Sequence, residues 1–247
     1  MITPMRKVVK SFLIAVTVIL FCIQAHAQIQ VGAKFGANLN QFNYPGTTIG
    51  FNGGAFARYP VMDFVSVRAE LLYSQQGGAR SDYSRDYAGA GVDGNVSSVN
   101  YTHRYVNLNN LEIPVMAELG LPDLTGDNII KPRLLLGISY AFNLAAVEHQ
   151  DRTYFFSSGP VTEATFSNDK ENVRSNYAHS QWGAVVGFGI DFPVGERTLT
   201  MEVRYKKGLN NLNLNQFANI PNISPQQHER LIASSLSINF ALTLFNF

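Results

Sequence analysis

Apolar and polar residues alternate with a period of two along much of this chain, over stretches long enough to cross a bilayer, and this pattern limits its fold more than any other feature. The sharpest stretch sets Leu199, Met201, Val203 and Tyr205 against Thr200, Glu202, Arg204 and Lys206. Successive side chains of a strand point to opposite faces, so such a stretch is a strand with one apolar and one polar side. Seven more segments read the same way, at 31–39, 51–59, 65–74, 105–119, 133–144, 182–192 and 236–244. Eight strands are therefore expected. Pro114 interrupts the fourth, and because proline donates nothing to a ladder, a bulge or a differently satisfied acceptor is expected there.

Alternation alone does not say which face meets water. After the first residues, no window holds 18 consecutive apolar positions, so a crossing by helices is excluded and a membrane crossing must come from strands. Three features favour an apolar face turned towards lipid. Residues 1–27 have the form of a cleaved export signal, with Arg6, Lys7 and Lys10, then an apolar run from 12 to 23, then Ala25-His26-Ala27, which places the mature start at Gln28. The connections alternate between long polar ones, near 40–50, 76–103, 145–178 and 209–230, and short ones near 60–63 and 193–197, with an intermediate one at 120–131. Aromatic residues mark the segment ends, among them Tyr59, Tyr73, Tyr105, Tyr140, Trp182, Phe192 and Tyr205.

In hydrocarbon every backbone donor and acceptor needs a partner within the protein, so spanning strands must close on themselves. The expectation is an all-β chain: an eight-stranded antiparallel transmembrane β-barrel over 28–247 in the outer membrane, with long extracellular loops and short periplasmic turns. Its polar faces would turn Lys34, Arg58, Arg68, Glu70, Glu112, Glu118, Arg133, Asp191, Glu202 and Arg204 inward. Of these, Arg68, Glu70, Glu112, Glu118, Arg133, Glu202 and Arg204 are the candidates for ion pairs in the lumen. Eight strands enclose a space that side chains just fill, so a wide aqueous pore is not expected.

The order of several stretches resembles the PorT-like outer-membrane β-barrel family of Bacteroidetes: VGAKFGANLN, LEIPVMAELG, KPRLLLGISYAFNL, WGAVVGFGIDFPVG, MEVRYKKGLNNL and the closing SLSINFALTLFNF. The resemblance implies an eight-stranded barrel and, in the founding member, a part in type IX secretion. The ending departs from the usual pattern, because Phe245 and Phe247 fall out of phase with Phe240, Leu242 and Leu244, so a bulge or an exit from the membrane is expected.

Nineteen basic and eighteen acidic residues carry no like-charged block, so no nucleic-acid partner is expected. The single cysteine, Cys22, lies within the export signal, leaving no thiol or disulfide chemistry for the mature chain. His103, His149, His179 and His228 lie in or beside predicted long loops, and His179 precedes Ser180, but adjacent strand residues point apart and make a poor nucleophile–base pair. A hydrolase with a rim site is the distant alternative. No catalytic residue, cofactor or metal is assigned. The expected partners are outer-membrane lipid and, through the long loops, cell-surface or secretion-machinery proteins, with Tyr83, Tyr87 and Tyr101 suited to such contact.

Overall fold

A computed structural model of the chain describes residues 29–80, 82–86, 96–122, 130–156, 163–214 and 230–247, so the predicted export signal lies outside the described residues. Ten strands follow in order: β1 (Gln30–Gln41), β2 (Thr47–Met62), β3 (Val65–Ala79), β4 (Tyr83–Asp86), β5 (Val96–Gly120), β6 (Lys131–Phe156), β7 (Glu163–Asn172), β8 (Ser180–Val194), β9 (Arg197–Gly208) and β10 (Ser234–Asn246). The sheet runs β4-β5-β3-β2-β1-β10-β9-β8-β6-β7, and a further pairing of β5 with β6 closes eight of these strands into an antiparallel ring. The eight ring strands contain the eight predicted segments. β4 and β7 are additions that alternation did not show.

The ring is sheared. A line of paired residues runs from Asn40 through Ser235, Lys206, Val185, Gly137, Met116, Arg68 and Arg58, and returns to β1 at Gln30, ten residues from its start. Ten residues at about 3.3 Å, over eight strands about 4.8 Å apart, tilt the strands by roughly 40°, which suits a membrane barrel. Each residue then advances about 2.5 Å along the barrel axis.

Burial follows the alternation. Lys34, Asn38, Asn52, Arg58, Arg68, Glu70, Glu118, Glu202 and Asn239 are buried inside, whereas Phe35, Leu71, Leu136, Ile138, Val203 and Ile238 stand exposed on the outer wall. An interior rich in charge beneath an apolar exterior is the inverse of a water-soluble barrel. One inward aromatic, Phe56, fits because Gly32 faces it; a Cβ at Gly32 would lie 2.6 Å from the ring. Aromatic side chains gather on the outer wall at one height, with Phe51 against Tyr73 at 5.6 Å and Tyr140 between Phe142 and Trp182 at 4.7 and 4.6 Å.

Both ends of the described chain and the turns Asp63–Phe64 and Gly195–Glu196 share one end of the ring, here called the terminal end. The opposite, distal end departs from the predicted loops. The connection expected at 40–50 is only the five residues between β1 and β2, and much of 76–103 and 145–178 is strand, because β3, β5 and β6 run on past the ring and recruit β4 and β7. Part of the last long connection, 215–229, lies outside the described residues.

Pro114 produces no bulge. The β3–β5 ladder is interrupted between Ala69↔Val115 and Leu72↔Glu112 and resumes in the same register. Near the C-terminus the ladder with β1 steps from Val31↔Phe245 to Gly32↔Thr243, which makes Leu244 the extra residue of a bulge. That bulge returns Phe245 and Phe247 to the exposed outer surface, their rings 6.0 Å apart.

Candidate functional site

Charges on the inward faces of seven strands meet inside the barrel. Arg68 of β3 lies 2.8 Å from Glu70 and 3.2 Å from Glu118, and also pairs with Glu202. Arg204 of β9 reaches Glu70 at 2.8 Å and Glu202 at 2.7 Å, while Lys34 of β1 reaches the same two carboxylates at 3.1 and 3.3 Å. Towards the terminal end, Arg58 bridges Glu118 at 2.6 Å and Asp191 at 3.1 Å, and Arg133 reaches Asp191 at 2.5 Å and Glu118 at 3.8 Å. Thr200 donates to Asp191 at 2.6 Å, and the Arg68 guanidinium lies 4.2 Å above the Phe56 ring.

Six of the seven predicted ion-pair candidates thus stand in one connected network. The seventh, Glu112, sits nearer the distal end and pairs with Lys206 at 2.5 Å, a partner the sequence did not single out. Lys34, Arg58 and Asp191 were read as inward-facing but not as members of the pairing set. Arg104–Glu148, a further buried pair, lies at the distal end, with Glu148 inside the connection expected at 145–178.

Above the charges comes a layer of amides and hydroxyls. Asn52 donates to Asn38 at 2.7 Å and to Asn239 at 2.9 Å, and a polar cavity of about 40 Å³ lies among Asn38, Ser74, Glu112, Arg204 and Lys206. Above this layer the distal mouth is stopped by an apolar cluster of Phe42, Val106, Leu108, Ala146, Val173, Tyr177, Leu212, Leu231 and Ala233. Six of these, Phe42, Val173, Tyr177, Leu212, Leu231 and Ala233, come from connections rather than from ring strands. Tyr177 is bridged to Asn213, accepts a hydrogen bond from Arg80 at 3.0 Å, and has its hydroxyl pushed up to about 12 by burial.

β5 and β6 continue beyond the point where β6 leaves β8, at Phe142↔Ser180. The fourteen residues beyond Phe142, as far as Phe156, amount to about 45 Å of strand. With β4 and β7 they form a four-stranded sheet, β4-β5-β6-β7. The pairings Tyr101↔Arg152↔Phe166 and Val99↔Tyr154↔Ala164 place aromatics and one arginine on a single face. Arg152 lies 5.6 Å from the Tyr101 ring and is held by Asp169 at 2.9 Å and Glu171 at 2.6 Å; Tyr154 meets Phe166 edge to face.

Two irregularities at the root of this sheet meet at Asp151. Among the described residues, His103 and Asn168 are the non-glycine residues with positive φ, 49° and 55°, and each sits where a ladder changes register. His103 Nδ1 lies 3.2 Å from Asp151, and the Asn168 N–H donates to Asp151 at 2.7 Å. Asn168 Oδ1 lies 2.9 Å from His149 Nδ1, whose ring stacks on Tyr105 at 4.5 Å. His179 gives its backbone carbonyl to the Asn143 N–H.

A closed ring of tilted strands, apolar outside and charged inside, defines a transmembrane β-barrel. Residues 24–213 match the family described as outer membrane protein beta-barrel domain, and the chain belongs to that family. No curated protein matches the sequence. Solved structures similar to this chain include Neisserial surface protein A, at 12% identity over 87% of this chain and 97% of that one, with a TM-score of 0.38. The attachment invasion locus protein Ail of Yersinia pestis is similar at 11% identity over 88% and 99%, with a TM-score of 0.34. The outer membrane protease OmpT from Escherichia coli is similar at 10% identity over 90% and 96%, with a TM-score of 0.37.

Proposed function

We propose that this protein is a non-enzymatic outer-membrane barrel whose distal end faces the cell exterior and holds a β-sheet clear of the lipid to contact other proteins. The extension β4-β5-β6-β7 is the observation that carries this reading: ordered strands continue well past the ring, and one face presents Tyr101, Arg152, Tyr154 and Phe166. Aromatics and arginine are the side chains that dominate protein contacts. The free edge of β7 is less suited to adding a strand. It carries a bulge between Phe166 and Asp169 and the charges Asp169, Lys170 and Glu171, devices that blunt edge pairing. The sheet face is therefore the contact surface. The sealed lumen is a scaffold, with Arg68, Glu70, Glu112, Glu118, Arg133, Glu202 and Arg204 as its structural charges. The mature chain begins at Gln28.

A secretion-machinery accessory is the sharper variant implied by the PorT-like resemblance, and no constellation among the described residues singles it out. The test is a photo-crosslinking amino acid placed in intact cells at Tyr101 or Phe166, with Met201 on the lipid-facing wall as the control. External protease should cut the extension, and protein adducts should form at the two sheet positions only. An extension that protease reaches only in opened cells, or adducts no stronger than at Met201, would overturn the reading.

A further inference from the structure

The β2–β3 ladder stops at Asn52↔Ser74, although β2 continues out to Thr47 and β3 to Ala79. Each remains paired on its other side, β2 with β1 and β3 with β5, so the wall has a seam over its distal third. Asn38 and Asn40 reach across from β1 and donate to the Gln75 carbonyl at 3.1 and 3.2 Å, closing the seam from within. On the outside it opens into a cleft of about 620 Å³, within the size range of small-molecule sites.

The cleft begins beside the aromatic belt and climbs away from the membrane. Ile49, two residues beyond the belt residue Phe51, is 81% exposed at its foot. Arg80 is seven residues beyond Tyr73, which puts it about 17 Å above the belt at roughly 2.5 Å per residue. A phospholipid headgroup layer is only about 5–8 Å thick on each side of the bilayer, so it would end below Arg80. An occupant anchored in the leaflet needs a longer polar head.

The lining describes that head. Thr47, Asn107 and Asp82 supply hydroxyl, amide and carboxylate groups, and Tyr105 shows the cleft an aromatic surface, its other face taken by His149. Such a set pairs with sugar hydroxyls. At the upper end stand Arg80 and His103, and the Arg80 guanidinium is well matched to phosphate. Arg80 also donates to Tyr177, so its guanidinium is positioned before anything binds.

We infer that this cleft binds the phosphorylated saccharide head of an outer-leaflet glycolipid of the lipopolysaccharide type. The inference rests on the distal end facing outward. It fixes the barrel's rotation and depth against one lipid, independently of any protein bound by the sheet.

The test uses the full chain purified in detergent and titrated with rough-type lipopolysaccharide by native mass spectrometry. Dephosphorylated lipopolysaccharide and phosphatidylglycerol are run in parallel. One saturable equivalent is expected, weakened tenfold or more by Thr47→Trp or Asn107→Trp, which fill the cleft, by Arg80→Gln, and by removal of the phosphates. Met201→Ala, elsewhere on the outer wall, should bind as the unaltered protein does. Unchanged affinity in both tryptophan variants, or equal retention of phosphatidylglycerol, would overturn the site and leave annular lipid only. Binding in detergent reads the cleft itself. A failure of the surface-exposure test in cells would count against the orientation, not against this lining.

Discussion

Glu202 and Glu70 each receive two or more cations inside the barrel, so neither carboxylate can be lost without stranding positive charge. With Glu202→Gln, Arg68, Arg204 and Lys34 are left, among the described residues, with Glu70 and Glu118 as their paired carboxylates. Breaking a buried pair by removing one partner costs about 3–5 kcal/mol, whereas replacing both partners with apolar residues of similar volume is often close to neutral. Glu202→Gln is therefore expected to lower the urea midpoint of the protein in micelles markedly, and the double change Glu112→Leu with Lys206→Met much less. The fluorescence of Trp182, the one tryptophan in the chain, reports both. Equal losses in the two proteins would mean that packing, not charge pairing, holds the lumen. His103 behaves differently, since its positive φ is sparsely populated for any residue but glycine. Its side chain is 84% exposed, so the Asp151 contact contributes little. His103→Gly should leave protease resistance at the root of the extension unchanged or raised, while His103→Val should lower it.

Strands were legible in the sequence where the two sides of the wall meet opposite media, because lipid outside and packed charge inside impose the period of two. Where β5 and β6 leave the ring that contrast disappears, and segments such as VNYTH and DRTYFF read as loop although they are strand. The interior faces were legible but the pairings were not: Arg68 meets Glu202, and Arg204 meets Glu70, across 134 positions of sequence. The cap was hidden for a related reason, since Val173, Tyr177, Leu212 and Leu231 are isolated apolar residues in polar stretches that gather only once the ring brings their connections together. Tyr177 makes that cap sensitive to alkali. Burial raises its hydroxyl to about 12 from the usual 10 despite the neighbouring Arg80, so the folded cap favours the neutral phenol. The stabilisation is complete below pH 10 and is lost as pH rises from 10 to 12, with up to about 3 kcal/mol at stake. Protease cleavage near 173–178 should increase across that interval. In Tyr177→Phe, the cap should be looser at neutral pH and show no such step.

Taken along its axis, the barrel holds three obstructions in series: the ion network, the amide layer and the apolar cap. They are chemically unlike, so a change that opens one leaves the others in place. An ion entering from the distal end must first displace Phe42, Tyr177 and Leu231. It must then pass the Asn38–Asn52–Asn239 layer and part Arg68 from Glu202, both of which are sealed from solvent. An eight-stranded ring has room for these side chains and little else. Reconstituted into planar bilayers, the protein is expected to show no steady unit conductance. The same is expected of Phe42→Ala with Leu231→Ala, although removal of those side chains should cost stability on the order of 2–5 kcal/mol each. Regular conductance steps should first appear when the cap change is combined with Arg58→Ala, Arg68→Ala and Glu202→Ala, and their ion selectivity should follow the charge left behind. Steps already present with the cap change alone would mean that the charged layer is permeable, and that the cap by itself closes the barrel.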